Sequence, residues 1–252
     1  MKELQYLKIL KTNINITTMQ DTLSYITTHL EELRGKYICV SNVHTTVLSY
    51  ENKAYCTIQN EAAMALPDGA PLSVYCKLKG YKNARRVTGP DLMLELFQCS
   101  YKKGYRHFFY GSTPETLAEM KRTIIKKYPG VTIAGMYSPP FKPLSTEEDA
   151  SIIAQINAAQ PDFIWVGLGA PKQEEWMHLH QDQVQAVMIG VGAGFNYLAG
   201  TIKRAPKIMQ KLCLEWLYRL IQDPKRLWKR YVTTNFKFFR YLIQMSWTHE
   251  NS

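Results

Sequence analysis

The sequence contains no long apolar run, no C-x-x-C pair and no acidic D-x-D motif. Because a transmembrane helix needs about 18 to 20 mostly apolar residues in a row, we expect no membrane-spanning segment. The five cysteines are an odd number and are scattered along the chain. This pattern favours reduced thiols in a cytosol over disulfides or a zinc site. A catalytic cysteine is disfavoured, since none lies in a glycine-rich turn beside a histidine.

Two common nucleotide-binding motifs are also missing. A G-x-G-x-x-G fingerprint starting at Gly167 would need a glycine where Lys172 stands. One starting at Gly192 would need a glycine where Tyr197 stands, and no G-x-x-x-x-G-K-[ST] segment exists. Without a D-x-D pair we expect no carboxylate-held metal and no cofactor. Basic side chains and backbone amides would then balance the charge of a leaving group.

The positive charge of the chain is concentrated near its C-terminus. The formal net charge is +10 over 252 residues. Residues 203–240 contain 11 lysines and arginines but 2 acidic residues, whereas the rest of the chain contains 20 and 19. The hydrophobic content of 46% and charged content of 21% are typical of a folded globular protein. We therefore expect a nearly neutral body with one basic segment that meets an acidic partner.

Short apolar runs alternate with amphipathic stretches of helical length. The predicted strands are KYICVSN (36–42), AAMALPD (62–68), YRHFFYGS (105–112), VTIAGMY (131–137), DFIWVGLG (162–169) and AVMIGVGAG (186–194). The predicted helices cover about residues 20–34, 44–60, 89–103, 113–128, 145–159 and 171–183. This alternation predicts an α/β protein with a Rossmann-like, mostly parallel, doubly wound sheet. The sheet domain would occupy residues 1–200, and residues 201–252 would form a helical appendage.

Glycine and polar residues follow several of the predicted strands. In open α/β sheets, ligands bind outside the carboxyl ends of the strands. Glycines allow a ligand to approach the backbone, and the N-termini of the following helices favour anionic groups. Any one of these loops also fits ordinary turn chemistry, but several at one edge suggest a nucleotide-like ligand. The loops are Ser41-Asn42, Asp68-Gly69, Gly111-Ser112, Gly167 to Gln173 and Gly192-Ala193-Gly194.

The C-terminal segment predicts two basic amphipathic helices. The first is KIMQKLCLEWLYRLIQ (207–222), and the second follows Asp223 and Pro224. Such helices can close a domain with a solvated basic face, bind nucleic acid or lie on an anionic bilayer. On a bilayer each Lys or Arg contributes about 1 kcal/mol. Because the body is neutral and no nucleic-acid-binding module is recognisable, an anionic membrane surface is favoured and nucleic acid is not expected.

From about residue 8 to residue 242 the chain resembles the WecG/TagA/CpsF glycosyltransferases, glycosyltransferase family 26. The resemblance is carried by LPDG (66–69), RVTGPDL (86–92), FFYGS (108–112), VGLGAPKQE (166–174) and GVGAGFNYLAGTIKRAPKIMQKLCLEWLYRLIQDPKRLWKRY (190–231). It implies an inverting, metal-independent enzyme that moves a hexose from a UDP-sugar to a sugar on a polyprenyl diphosphate. It also implies a role in bacterial surface polysaccharide or teichoic acid synthesis. The enzyme would lie peripherally on the inner face of the plasma membrane, and homo-oligomer formation stays open.

The resemblance also implies roles for individual residues. Asp68 would be the general base, although Asp-Gly after proline also fits turn chemistry. The predicted donor-binding residues are Asn42, Gly69, Gly111, Gly169, Lys172, Gln173, Gly192 and Gly194. Of these, Asn42 and Gln173 match family positions, and the glycines follow from the loops at the strand ends. The acceptor diphosphate or membrane would meet Arg204, Arg219, Arg226, Lys229 and Arg230. Of these, Arg219 and Arg226 match family arginines, while Lys229 and Arg230 compete for a third position. Lys172 and Arg204 do not come from the resemblance and are added as anion contacts. For Lys172 the reason is that a lysine at a helix N-terminus opposes the dipole and is more plausible facing an anion.

One segment departs from the family pattern. Teichoic-acid members have T-P-N-x-E after the first strand, whereas this chain has VSNVH (40–44). His44 replaces an acid and is therefore an alternative base. The stretch NVHT (42–45), followed by PDGAP (67–71), looks more like the exopolysaccharide branch. The donor sugar therefore stays open between N-acetylmannosamine, glucose and a uronic acid. Two other functions stay open. One is a nucleotide-binding enzyme of another class, such as a methyltransferase, whose tail is an oligomer or nucleic-acid interface. The other is a binding module without catalysis.

Overall fold

A parallel sheet forms the centre of the computed structural model, which describes residues 4–212 and 214–250 except the side chains of 211, 226 and 246–250. The strands are β1 (Tyr6–Ile9), β2 (Thr12–Asn15), β3 (Tyr37–Ser41), β4 (Met64–Pro67), β5 (Arg106–Gly111), β6 (Thr132–Tyr137), β7 (Phe163–Gly167) and β8 (Val187–Gly190). Six of them form one sheet in the order β4-β3-β8-β7-β5-β6, and every neighbouring pair is parallel. The six predicted strands and the α/β class are therefore confirmed.

The first two strands form a separate antiparallel hairpin that the sequence did not predict. Each strand has four residues, and the turn between them contains Leu10 with φ 55°. So short a run gives little alternation to detect. The Asn15 side-chain oxygen accepts a hydrogen bond from the amide of Ala65 at 2.6 Å, which attaches the hairpin to β4.

The helices largely follow the predicted positions. They are α1 (Met19–Thr28), α2 (Leu30–Leu33), α3 (Val43–Glu51), α4 (Lys53–Glu61), α5 (Ala70–Leu78), α6 (Gly89–Lys103), α7 (Pro114–Lys127), α8 (Thr146–Ala158), α9 (Lys172–Leu179), α10 (Gly194–Ala199), α11 (Lys207–Lys211), α12 (Glu215–Gln222) and α13 (Pro224–Glu250). The helix predicted at 44–60 is interrupted at Asn52, whose backbone is extended and whose side chain accepts from the amide of Tyr55. The helix predicted at 20–34 is interrupted at His29, and that at 207–222 is split into α11 and α12. Helices α5 and α10 were not predicted. Helix α5 directly follows the turn residues Asp68 and Gly69, and the first residue of α10, Gly194, falls at the end of the predicted strand 186–194.

Apart from the edge strand β6, the sheet is buried on both faces. All five residues of β3 are buried, and four of them divide between two hydrophobic clusters. Tyr37 and Cys39 belong to one cluster, whereas Ile38 and Val40 belong to the other. Because successive side chains of a strand point to opposite faces, the two clusters lie on opposite sides of the sheet. This arrangement explains why the strands are continuous apolar runs.

The last helix packs against the sheet domain. Phe238 is 1% exposed and belongs to the cluster that also contains Val43 and Val47 of α3. The Glu51 carboxylate accepts a hydrogen bond from the Tyr241 hydroxyl at 2.7 Å and pairs with Lys237 at 2.8 Å. The division into residues 1–200 and 201–252 stays a prediction. Among the described residues, none of the helices combines the length and the apolar character that crossing a bilayer requires.

Candidate active site

A cleft of about 1070 Å³ lies at the carboxyl ends of four neighbouring strands, β4, β3, β8 and β7. Two parts of the chain contribute much of its lining. The loops after these strands contribute Asn42, Asp68, Gly69, Gly167 to Ala170 and Gly190 to Gly194. The C-terminal helices contribute Glu215, Trp216, Arg219, Asp223, Arg230, Tyr231, Thr234, Asn235 and Phe239. The cleft therefore occupies the predicted edge of the sheet, and α12 and α13 form part of its wall.

Asp68 lies directly after β4 and lines this cleft. Helix α5 has Gly69 as its N-cap, and no side chain caps it, so the Asp68 carboxylate does not serve the turn as a cap. The Asp68 side chain is 29% exposed. Burial raises the pKa of Asp68 to about 6; Arg86 opposes this rise, and the nearby Glu215 carboxylate adds to it. A carboxylate with this pKa is mostly ionised at neutral pH and can accept a proton.

Arg86 connects Asp68 to the C-terminal helices, and sequence reasoning did not single it out. Its Nε donates to the backbone oxygen of Asp68 at 2.5 Å, and its Nη2 donates to Glu215 Oε2 at 2.5 Å. The same Nη2 lies 3.8 Å from Asp68 Oδ1. Arg86 is the first residue of RVTGPDL (86–92), a segment that resembles the family, but no role was predicted for its side chain. A guanidinium group in this position offers positive charge within the cleft.

Asn42 and His44 lie at the start of α3 and line the cleft. The Asn42 side-chain oxygen accepts from the amides of His44 at 3.0 Å and Thr45 at 3.3 Å. The Thr45 hydroxyl in return accepts from the Asn42 amide at 2.9 Å, which completes a capping box. Burial lowers the pKa of His44, and Arg230 lowers it further. This favours a neutral imidazole that can accept a proton, so His44 stays an alternative base.

Gln173 joins the two glycine-rich loops of the cleft. Its side-chain oxygen accepts from the amides of Gly169 at 3.2 Å and Gly192 at 3.0 Å. Both glycines have positive φ, 80° and 50°. The Gln173 side chain is buried, and a Cβ at Gly190 would lie 2.9 Å from its Nε2. Gln173 therefore holds the loops after β7 and β8 together and forms part of the cleft wall.

Glu174 is a fully buried carboxyl group in the same wall. Its Oε1 accepts from Gln173 Nε2 at 2.8 Å, whereas Oε2 has no hydrogen-bond partner within residues 4–212 and 214–250. Burial raises the pKa of Glu174 to about 7. Sequence reasoning missed this group, because acidic residues in the first turn of a helix are normally exposed and favoured by the helix dipole.

Two predicted donor-binding residues lie outside the lining of the cleft. Gly111 ends β5, the strand beyond β7, and its φ is 123°. A Cβ at Gly111 would lie 2.7 Å from the carbonyl carbon of Gly167, so glycine is required there for close strand packing. The side chain of Lys172 is exposed, while those of Gln173 and Glu174 are buried beside it.

The basic residues of the C-terminal segment divide in the same way. Arg219 and Arg230 line the cleft, and the Arg219 guanidinium lies 5.7 Å from the ring centre of Tyr197. Arg204 instead donates two hydrogen bonds of 2.6 Å to the Asp91 carboxylate, so its charge is already paired. Lys229 is exposed and is not part of the lining. Arg226 lies in α13, but its side chain falls outside the described residues.

Three carboxylates in or beside the cleft lie next to arginines. Asp68 and Glu215 both contact Arg86, while Asp91 is bound by Arg204. In the part of the chain that the structure describes, no group of three or more His, Cys, Asp and Glu is placed to hold a metal ion. The expectation that the reaction needs no metal stays a prediction.

Comparisons with known proteins agree on one family. The profile described as "Glycosyl transferase WecG/TagA/CpsF family" matches residues 7–252. A Bacillus spizizenii protein named N-acetylglucosaminyldiphosphoundecaprenol N-acetyl-beta-D-mannosaminyltransferase is 33% identical over 205 residues, which cover 81% of this chain and 77% of the relative. A Bacillus subtilis protein of the same name is 33% identical over 221 residues, 86% of this chain and 82% of the relative. A Staphylococcus aureus protein of that name is 29% identical over 222 residues, 87% and 85% of the two chains.

Proposed function

The chain belongs to the WecG/TagA/CpsF family of glycosyl transferases. We propose that it transfers a hexose from a UDP-sugar to a polyprenyl-diphosphate-linked sugar. The names of the relatives support N-acetylglucosaminyldiphosphoundecaprenol as the acceptor and N-acetylmannosamine as the transferred sugar. Glucose and a uronic acid are alternative sugars, because the stretches NVHT (42–45) and PDGAP (67–71) look more like the exopolysaccharide branch. The product would enter a bacterial surface polymer.

Asp68 is the proposed general base. The acceptor hydroxyl gives its proton to the Asp68 carboxylate while its oxygen forms a bond to the anomeric carbon of the donor sugar. The bond from that carbon to the diphosphate oxygen breaks, and UDP leaves with the electron pair. A single displacement of this kind inverts the anomeric configuration. The observation that carries the proposal is the partly buried Asp68, which lines the cleft, has a pKa near 6 and does not cap the following helix.

The negative charge of the departing UDP would be balanced by arginines and backbone amides. Arg219 and Arg230 reach the cleft from the C-terminal helices. The loops after β7 and β8 contribute glycine backbones that a phosphate can approach closely. Fixed donors of this kind stabilise charge as it develops in the transition state. This arrangement supports a transfer that proceeds without a metal ion.

The acceptor is attached to a lipid, and the C-terminal helices suit a lipid surface. Large apolar side chains are exposed there: Ile208, Leu212, Trp216, Ile221, Trp228, Val232, Phe236, Phe239 and Ile243. Exposed basic side chains, including Lys225, Lys229 and Arg240, lie on the same segment. Exposed aromatic and basic residues together are typical of helices that lie in the bilayer interface. We infer that the enzyme binds peripherally to the inner face of the plasma membrane through this segment.

The test of this function is turnover with a panel of UDP-sugars and a short-chain prenyl-diphosphate-linked N-acetylglucosamine. The wild-type chain is expected to use one donor, and the panel includes UDP-N-acetylmannosamine, UDP-glucose and a UDP-uronic acid. Asp68→Asn keeps the shape of the side chain but cannot accept the proton, so turnover should fall by about 10² to 10⁴. UDP binding should persist in this variant. If Asp68→Asn transfers the sugar at the wild-type rate, Asp68 is not the base, and His44 becomes the candidate for that role.

A further inference from the structure

Glu215 lies at the start of α12 and is placed between two guanidinium groups. Its Oε2 accepts the 2.5 Å hydrogen bond from Arg86 Nη2, and its Oε1 lies 3.9 Å from Arg204 Nε. That Nε is buried and has no hydrogen-bond partner among the described residues. The Glu215 side chain is 12% exposed. A carboxylate of the C-terminal helices is therefore held inside the active-site wall by charge.

Arg86 extends this contact to Asp68. Its Nε is bonded to the backbone oxygen of Asp68, and its Nη2 is bonded to Glu215 while lying 3.8 Å from Asp68 Oδ1. Because a guanidinium group is planar, its two bonds fix its orientation. The orientation observed directs Nη2 to Glu215 and leaves a gap to the Asp68 carboxylate. Arg204 is held by Asp91 through two hydrogen bonds, so it anchors the arrangement from the other side.

We propose that Glu215 is a positioning residue for the transfer reaction: with α12 docked, it holds the Arg86 guanidinium away from the Asp68 carboxylate and keeps that carboxylate available to the acceptor. The proposal rests on the proposed role of Asp68 as the base. Without Glu215, Arg86 can turn its Nη2 onto Asp68 and form a close ion pair. A carboxylate in such a pair is a weaker base, because the positive charge stabilises its ionised form.

The direction of the effect on Asp68 follows from the charges that face it. The charged groups are Arg86, Asp91, Glu215 and Arg219, and the neutral phenol of Tyr197 also faces Asp68. The Glu215 charge raises the pKa of Asp68, and Arg86 lowers it. Glu215→Gln removes the first influence and strengthens the second, so both changes lower the pKa of Asp68. A purely structural role of Glu215 would destabilise the helix but would not move this titration.

The experiment compares the wild type with Glu215→Gln, Glu215→Asp and Glu51→Gln in the full chain. Glu51→Gln is the matched control, since Glu51 also joins the C-terminal helices to the sheet domain through Lys237 and Tyr241 but does not line the cleft. With Glu215→Gln we expect kcat to fall by about tenfold and the acidic midpoint of the rate profile to move down by about one pH unit. Glu215→Asp, which keeps the charge, should restore part of kcat and should shift the midpoint less than Glu215→Gln does. Glu51→Gln should keep the wild-type midpoint.

A second measurement does not depend on turnover. The carboxyl carbon of Asp68 is titrated by NMR in the isotope-labelled full chain without substrate, with Asp68→Asn used to assign the signal. The same titration is made in the Arg86→Gln background, where Glu215→Gln removes only its own charge. A drop in the midpoint that is larger with Arg86 present than without it supports the positioning role, even if the wild type uses none of the UDP-sugars and the proposed function fails. An equal drop in both backgrounds overturns it. Equal midpoints in Glu215→Gln and wild type overturn the positioning role, even if the wild type is an active transferase.

Discussion

The side chain of Gln173 donates a hydrogen bond from Nε2 to the buried Oε1 of Glu174 at 2.8 Å. The oxygen of the same carboxamide accepts from the amides of Gly169 and Gly192. One side chain thus connects a buried acid to two loops that form the proposed donor site. Because a carboxamide has distinct donor and acceptor ends, the acid fixes which end faces the loops.

Glu174 should make the protein less stable as the pH rises. Its pKa is raised from 4.5 to about 7 by burial, so the folded state disfavours the ionised carboxylate relative to the unfolded state. The contribution of Glu174 to the free energy of unfolding is therefore fully present below about pH 4.5 and is lost as the pH rises through 7. Glu174→Gln should raise the free energy of unfolding at pH 8 by up to about 3 kcal/mol and change it little at pH 5.

Chemical denaturation at pH 5 and pH 8 measures this difference. Glu175→Gln is the control, because Glu175 is the exposed neighbour in the same helix and should show a much smaller pH-dependent change. A Glu174→Gln variant whose stability follows that of the wild type at both pH values would show that Glu174 is ionised at no cost in the folded protein.

The Asp68 titration predicts the pH dependence of transfer. A base with a pKa of about 6 must be deprotonated to act, so kcat/KM should fall about tenfold per unit below pH 6 and level off above it. The profile is measured with the donor that the wild type uses, at constant ionic strength. In His44→Gln the same midpoint should persist. A midpoint that disappears with His44 and stays in Asp68→Asn would identify the histidine as the base.

Local sequence patterns predicted the parts of this fold that depend on neighbouring residues. The six strands of the parallel sheet and the loop carrying Asp68 were found because apolar runs and glycine or proline boundaries are visible within about ten residues. The contact between Arg86 and Glu215 could not be found in this way, since it joins positions 129 residues apart. The interruption at Asn52 was missed because a cap inside a helical pattern depends on where its side chain points. The pairing of Arg204 with Asp91 likewise depends on tertiary packing and not on charge count.

Gly111 should tolerate alanine poorly for reasons of packing. Its φ of 123° is strained for any other residue, and a Cβ would lie 2.7 Å from the backbone of Gly167. Gly111→Ala should lower the free energy of unfolding by about 3 kcal/mol. Gly104→Ala is the control, because Gly104 has φ 70° but has no atom within 4 Å of the added Cβ. This control should cost about 1 kcal/mol. If Gly111→Ala loses activity while its stability is unchanged, Gly111 acts in donor binding and not in strand packing.

The exposed aromatic residues of α13 should determine binding to the membrane. Trp228 and Phe236 are 62% and 68% exposed. Each should contribute about 1.5 to 3 kcal/mol when its ring leaves water, so each change to serine should weaken binding at least tenfold. The assay is sedimentation with vesicles that contain anionic phosphatidylglycerol. Phe141→Ser is the matched control, because Phe141 is 92% exposed but lies outside the C-terminal helices.

Salt separates the two contributions to this binding. Attraction between basic side chains and the lipid headgroups weakens at high ionic strength, whereas burial of the rings does not. The wild type should therefore lose part of its binding at about 0.5 M salt, where the Debye length has fallen to about half its physiological value. Trp228→Ser should lose most of what remains. If Phe141→Ser and Trp228→Ser reduce binding equally, the membrane contact is not made by α13, and the path to the lipid-linked acceptor must be sought on another surface.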